Sequence, residues 1–142
     1  MTTIATDGIT MAGDGKAVND HITMSLEIRK VFRLPDGKVI GIAGSAAKAH
    51  YLVANYGSGV DIPESMFEDV EMLVIDGTDR VLIYEGSPVA LTLKAPVAIG
   101  SGRQIALGAL LSGQSPRASV AIAAERDIFT GGTIRTLKVR TK

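Results

Sequence analysis

The chain has no cysteine and no tryptophan, and it has only two histidines. Without cysteine, disulfides and thiolate metal sites are both excluded. His21 and His50 stand in unrelated contexts, His50 inside a helical stretch. Two such residues supply neither a metal ligand set nor the base of a Ser–His–Asp triad. No metal and no cofactor is therefore expected. An excess of charge of one sign is also missing, because 15 basic residues balance 15 acidic ones. That balance removes the electrostatic case for nucleic acid or an anionic membrane as partner. No apolar run approaches the ~18 residues of a membrane span, and the start lacks the basic-then-apolar pattern of a signal peptide. The expectation is a soluble, cytoplasmic protein in which removal of Met1 alone exposes Thr2.

The composition that remains is 46% hydrophobic, with 16 glycines and 4% aromatics over 142 residues. That length suits one core, so residues 1–142 are read as a single domain of short strands and small-residue helices. Residues 2–6 and 9–13 are β-prone on either side of Asp7-Gly8, a two-residue hairpin signal. This turn predicts the pairs Thr6–Ile9, Ile4–Met11 and Thr2–Gly13, and it sets Asp14 beside Thr2. A short strand is expected near residues 22–24. A second hairpin runs from Ile28 to Leu34, turns at Pro35-Asp36-Gly37 and returns through 38–44. Ser45 caps a helix from Ala46 to Tyr56 that Gly57 ends. Residues 57–71 are irregular, and their acids (Asp61, Glu64, Glu68, Asp69, Glu71) read as a solvated face. Strands follow at 72–76, 81–84, 89–93 and 97–99. Ser101 caps a helix over 103–111, Ser115-Pro116 opens another to Arg126, and the last strand spans 133–139. Strands grouped into hairpins, with helices set apart, indicate an α+β fold with layered sheets.

Chemistry enters at Thr2. An N-terminal threonine carries a hydroxyl and an α-amine on one framework, so the amine can serve as base for the hydroxyl. The reference pKa of an α-amine, about 7.7–8.0, leaves it partly neutral near physiological pH. Lys30 stands on the apolar face Leu26, Ile28, Lys30, Phe32, Leu34, where a cation is costly unless paired. Asp14 is the natural partner, and such a pair would tune a neighbouring nucleophile. Gly44 joins a strand to the helix capped by Ser45, a junction whose N–H groups can face an oxyanion. Gly100-Ser101-Gly102 forms a second strand-to-helix junction. Asp127 and Thr130 place an acid and a hydroxyl in the bend after the last helix. Gly13-Asp14-Gly15-Lys16 lacks the spacing of a phosphate-binding loop and reads as a hairpin loop.

Taken together, Thr2-Thr3-Ile4, Met11–Gly15, Ile28–Leu34, Lys38–Ala47, Ala98–Gly102 and Arg126–Gly132 resemble, in order, the HslV / proteasome β-subunit family of N-terminal nucleophile hydrolases. The resemblance implies an αββα sandwich of two antiparallel sheets and a threonine-type endopeptidase acting on polypeptides. It makes Thr2 the nucleophile, Lys30 the lysine that adjusts its pKa and Asp14 the acid that holds this lysine. Gly44 becomes the oxyanion glycine, and Ser101, Asp127 and Thr130 the group around the terminal amine. Ile42 falls in the first specificity pocket, which would favour apolar side chains. A homo-oligomer and an ATP-dependent unfoldase as partner are implied as well. The chain departs from the family where residues 57–71 are too short for the second long helix, so that helix is expected to be reduced or missing. Ring assembly and docking of the unfoldase are left open by that loss. A catalytically silent shell subunit and a small-amide amidohydrolase remain alternatives on the same fold.

Overall fold

The computed structural model describes residues 2–140. Strands β1 (Thr3–Thr6) and β2 (Thr10–Gly13) pair antiparallel with Ile4 opposite Gly13, Ala5 opposite Ala12 and Thr6 opposite Met11. The expected pairing of Thr6 with Ile9 is thus corrected by two residues. The cause is local: the Asp7 carboxylate accepts the N–H groups of Ile9 (2.9 Å) and Thr10 (2.8 Å), and Thr6 Oγ1 donates to the Thr10 carbonyl (2.7 Å). These bonds widen the turn to residues 7–10. A shift of two preserves side-chain facing, so Ile4 and Met11 still point together into the core. Asp14 now neighbours Thr3 rather than Thr2.

Residues Ala17–Asn19 (β3), unforeseen in the sequence, and Ile22–Ser25 (β4) form a separate ribbon. The hairpin over 28–44 is shorter on its first limb than expected: β5 covers Val31–Arg33 and β6 covers Val39–Gly44. Residues 26–30 run instead as irregular chain, held by bonds from Ile28 N to the Gly15 carbonyl (2.9 Å) and from Thr133 N to the Leu26 carbonyl (2.8 Å). The helix α1 (Ala46–Asn55) begins after Ser45 as foreseen, although the Ser45 side chain makes no capping bond. Strands β7 (Val70–Ile75), β8 (Arg80–Glu85), β9 (Leu91–Lys94) and β10 (Val97–Gly100) follow. Then come α2 (Arg103–Leu111), α3 (Pro116–Ala124) and β11 (Arg135–Lys138). Ser115 caps α3 by accepting from Ala118 N (3.1 Å), with Pro116 in the first turn.

Two antiparallel sheets result, β10-β1-β2-β11 and β5-β6-β7-β8-β9. Ile4, Met11 and Ile99 of the first meet Val39, Leu73 and Val81 of the second in the central core. Outside the four-stranded sheet, Ala5 and Ala12 pack against Ala106, Val120 and Ala123 of α2 and α3. Alanine on both sides lets these helices lie close to the strands. Outside the five-stranded sheet, Leu52 and Ala49 of α1 pack on Ile40, Ile42 and Met72. Coverage on both faces explains why residues 39–43 are apolar throughout instead of alternating. The segment where a second helix on this side was doubted holds only a 3₁₀ turn, Glu64–Phe67, whose Phe67 plugs the edge of that layer. Among the described residues no helix is long and apolar enough to cross a membrane.

Candidate active site

Thr2 leads into β1 and is only 4% exposed, at the mouth of a cleft of about 210 Å³. The cleft is also lined by Lys30, Ile42, Gly44, Ala46, Ala49 and His50. Asp14 does not line it but stands directly behind Lys30, 1% exposed. One carboxylate oxygen accepts from Lys30 Nζ (2.8 Å) and from Thr3 N (3.1 Å). The other accepts from Lys16 N (3.2 Å) and Gly131 N (3.0 Å). Four donors on one buried acid satisfy the group completely and fix its position. Lys30 Nζ gives a second bond to the Lys16 carbonyl (2.6 Å). Burial pulls the Lys30 pKa below the ordinary lysine value, while the charge and hydrogen bond of Asp14, and the charge of Asp127, pull it back up. Burial prevails, and the result is a cation easier to deprotonate than a surface lysine.

A second cluster closes around the start of the chain. Ser101 Oγ and Thr130 Oγ1 each donate to Asp127 Oδ2 at 2.5 Å, and Phe129 N donates to Oδ1 at 3.2 Å. Burial raises the Asp127 pKa, but these three donors outweigh it and hold the carboxyl below the usual carboxylate range. Because Thr130 spends its proton on Asp127, its 2.7 Å contact with Thr3 Oγ1 has Thr3 as donor. Ser101 does not cap α2 as expected, since Gly102 occupies the cap position. Its hydroxyl serves Asp127 instead and lies 3.4 Å from the Thr2 carbonyl. The close approach depends on Gly100, which has φ +95° and whose missing side chain would otherwise overlap that carbonyl.

Gly44 ends β6 with φ +100°, where a side chain would run into the Asp69 backbone. Ile42 N donates toward β5, to the Lys30 carbonyl (3.0 Å), and Ser45 N donates toward β7, to the Asp69 carbonyl (2.9 Å). Alternate N–H groups of a strand share a side, so Gly44 N–H points the same way as that of Ile42, past the start of β5. Gly44 itself lines the cleft, which leaves this N–H free of the β6–β7 ladder.

The sequence-predicted residues thus fall into one neighbourhood. Thr2, Lys30, Ile42 and Gly44 line the cleft, Asp14 backs it, and Ser101, Asp127 and Thr130 brace the chain leading into β1. Two contributors were not singled out from the sequence. Lys16 supplies the carbonyl under Lys30 and sends Nζ to the Ile128 carbonyl (2.7 Å), joining the two clusters. His50, one turn after Ala46 on the cleft side of α1, forms part of the wall. Its spacing from Ala46 and Ala49 was the available signal. Among the described residues no group of three or more His, Asp or Glu is placed to hold a metal ion.

No protein-family model matches the chain. Among solved structures it is similar to eukaryotic HslV from Trypanosoma brucei, with TM-score 0.72, 21% identity, and coverage of 96% of this chain and 98% of that one. It is also similar to Thiobacillus denitrificans BPH, with TM-score 0.72, 17% identity and 99% of each chain covered. The same BPH in complex with epoxomicin gives TM-score 0.71 at 17% identity. At these identities the likeness is one of fold, over nearly the whole length of both chains.

Proposed function

We propose that the chain is a threonine-type endopeptidase whose nucleophile is Thr2, once Met1 is removed. The observation that carries this reading is the shared cleft: Thr2, Lys30 and Gly44 line one cavity, with Lys30 held by a buried acid. In this reading the α-amine accepts the Thr2 hydroxyl proton as Oγ attacks the scissile carbonyl. Gly44 N–H stabilises the oxyanion, and the tetrahedral intermediate collapses as the amine returns the proton to the departing peptide nitrogen. Water then hydrolyses the ester by the same route and regenerates Thr2. Lys30 lowers the cost of negative charge near Oγ, and Asp14 keeps that cation paired. Ser101, Asp127 and Thr130 orient the terminal residue.

The same reading takes residues 1–142 as one domain with the αββα sandwich of N-terminal nucleophile hydrolases, the second helix of one layer reduced to a 3₁₀ turn. It places the protein in the cytoplasm as a homo-oligomer acting on unfolded polypeptides. An ATP-dependent unfoldase is the class of partner that would feed such substrates to a recessed site.

The test is Thr2→Ala against wild type on fluorescein-labelled casein, with intact mass confirming the N-terminus. Turnover should fall by about 10³-fold or more, and epoxomicin should add its mass to the wild type and not to the variant. Equal turnover by both proteins would remove Thr2 from the mechanism. A wild type inert toward peptides and small amides would favour a silent shell subunit.

A further inference from the structure

Residues 14–16 and the bend at 127–131 are stitched together by bonds at two places. At the far end of the bend, Gly15 N donates to the Gly131 carbonyl (2.9 Å) and Gly131 N to the Asp14 carboxylate (3.0 Å). At the near end, Ile128 follows Asp127 directly, and its side chain is 73% exposed, so apolar packing does not anchor it. What holds Ile128 is Lys16 Nζ, which donates to its carbonyl (2.7 Å). The Lys16 stem runs along the bend, since a Cβ placed on Gly131 would meet its Cδ at 3.4 Å. The ammonium thus leaves the Thr2 cleft for the adjoining hollow that Lys16 lines with Ile128 and Phe129. The backbone of the same residue holds both members of the buried ion pair. Its N–H donates to Asp14 (3.2 Å), and its carbonyl accepts from Lys30 Nζ (2.6 Å).

We infer that Lys16 is a positioning residue for the proposed hydrolysis: its ammonium straps the Asp127 bend to the loop that seats the Lys30 ammonium. This inference rests on the peptidase reading above, and Lys16 acts through Lys30 and Asp127 rather than on the reacting atoms. Burial lowers the Lys30 pKa, while the charge and hydrogen bond of Asp14, and then the charge of Asp127, hold it up. Arg29, His50 and Thr2, with its amine once Met1 is removed, are the other charged or titratable groups that share the cleft with Lys30 and Lys16. The charge of Lys16 does not figure among the influences on Lys30, so removing that charge acts through geometry alone. A slack strap lets the Lys16 carbonyl and Asp127 draw away, and Lys30 then gives up its proton at lower pH.

The experiment uses the full-length processed protein and an N-acetylated tetrapeptide aminomethylcoumarin amide ending in leucine, with wild type, Lys16→Met and Lys16→Arg. Methionine keeps an unbranched stem without the ammonium, and arginine keeps a donor. The bond to Ile128 is exposed, so the melting midpoints should agree within about 3 °C. In Lys16→Met, kcat should fall about three- to tenfold with KM within about twofold of wild type. The alkaline limb of its kcat profile should move down by about half a pH unit, as Lys30 loses its charge earlier. Lys16→Arg should restore both. Wild-type kcat and pH profile in Lys16→Met, a change confined to KM, or an arginine variant no better than the methionine one overturns the inference while leaving the peptidase intact. A wild type that cleaves neither this peptide nor casein removes the peptidase reading and this inference with it.

Discussion

Replacing Asp14 with asparagine keeps the side-chain shape but removes the charge and turns one oxygen that accepts from two N–H donors into a donor itself. Lys30, 6% exposed, would then have the Lys16 carbonyl as its main remaining acceptor. Removing one partner of a buried pair costs about 3–5 kcal/mol, because the other charge stays desolvated without compensation. Unfolding entropy of about 2.1 cal/mol/K per residue over 142 residues amounts to about 0.30 kcal/mol/K, so the thermal midpoint should fall by ~10–17 °C at neutral pH. The deficit also has a predicted pH dependence. Burial already lowers the Lys30 pKa from 10.5, and loss of Asp14 removes the strongest influence holding it up. Between the folded value and 10.5 the unfolded chain binds more protons, so stability rises with pH across that window. The variant should therefore recover part of its loss as pH is raised from about 7 to 10, when Lys30 can shed its proton on folding. Scanning calorimetry on the wild type, Asp14→Asn, Lys30→Met and the double variant checks both effects, and the double variant should regain at least half of the loss. A midpoint within about 3 °C of wild type at neutral pH, or a deficit that widens with pH, would refute the reasoning.

Other outcomes follow from the same geometry. Asp127 has a folded pKa below its ordinary 3.8, so its contribution is present above that value and is lost as pH falls through the lower folded one. Asp127→Asn should therefore flatten the dependence of the melting midpoint on pH below about 4, and parallel curves would contradict this. Leu52→Ala empties a fully buried site between α1 and the five-stranded sheet and should cost about 2–5 kcal/mol in urea unfolding. Because α1 also carries Ala49 and His50, KM should rise with it. Gly44→Ala forces a side chain against the Asp69 backbone at φ +100° and should displace the N–H aimed into the cleft. Peptide hydrolysis should fall by about 10²–10³-fold in kcat, with a smaller change in KM.

Much of the architecture was legible because its signals are local. Runs such as 39–43 and 72–75 read as strands, although β7 begins at Val70 in the segment expected to be irregular, and Ser115-Pro116 opened a helix where predicted. Lys30 was legible as an anomaly: an apolar neighbourhood leaves a lysine few options besides an acid, and Asp14 is that acid. Yet the strand used to place it is irregular from residue 26 to 30, and Leu26 on the supposed inner face is 51% exposed. The inward turn of Lys30 comes from backbone bonds to Gly15 and Thr133, which no periodicity announces. The first register was missed because a side chain, that of Asp7, reshaped the turn. Ser101 was misread because two roles suit a serine before a helix, and only the tertiary position of Asp127 decides between them. The strand at 22–24 was expected, but its partner β3 escaped notice because it is three residues long and half-exposed, with little burial to shape its composition.

The Thr3–Thr130 contact spans 127 positions, and Ser101 and Gly131 also wait far down the chain. While the protein is being synthesised, β1 can pair early with β2, but the contacts that close over its first residues wait until almost the whole polypeptide has left the ribosome. Under the peptidase reading, that interval is when Met1 would be removed, ahead of these late contacts. On that reading, maturation would precede burial because of the distance along the chain between the first residues and their last partners.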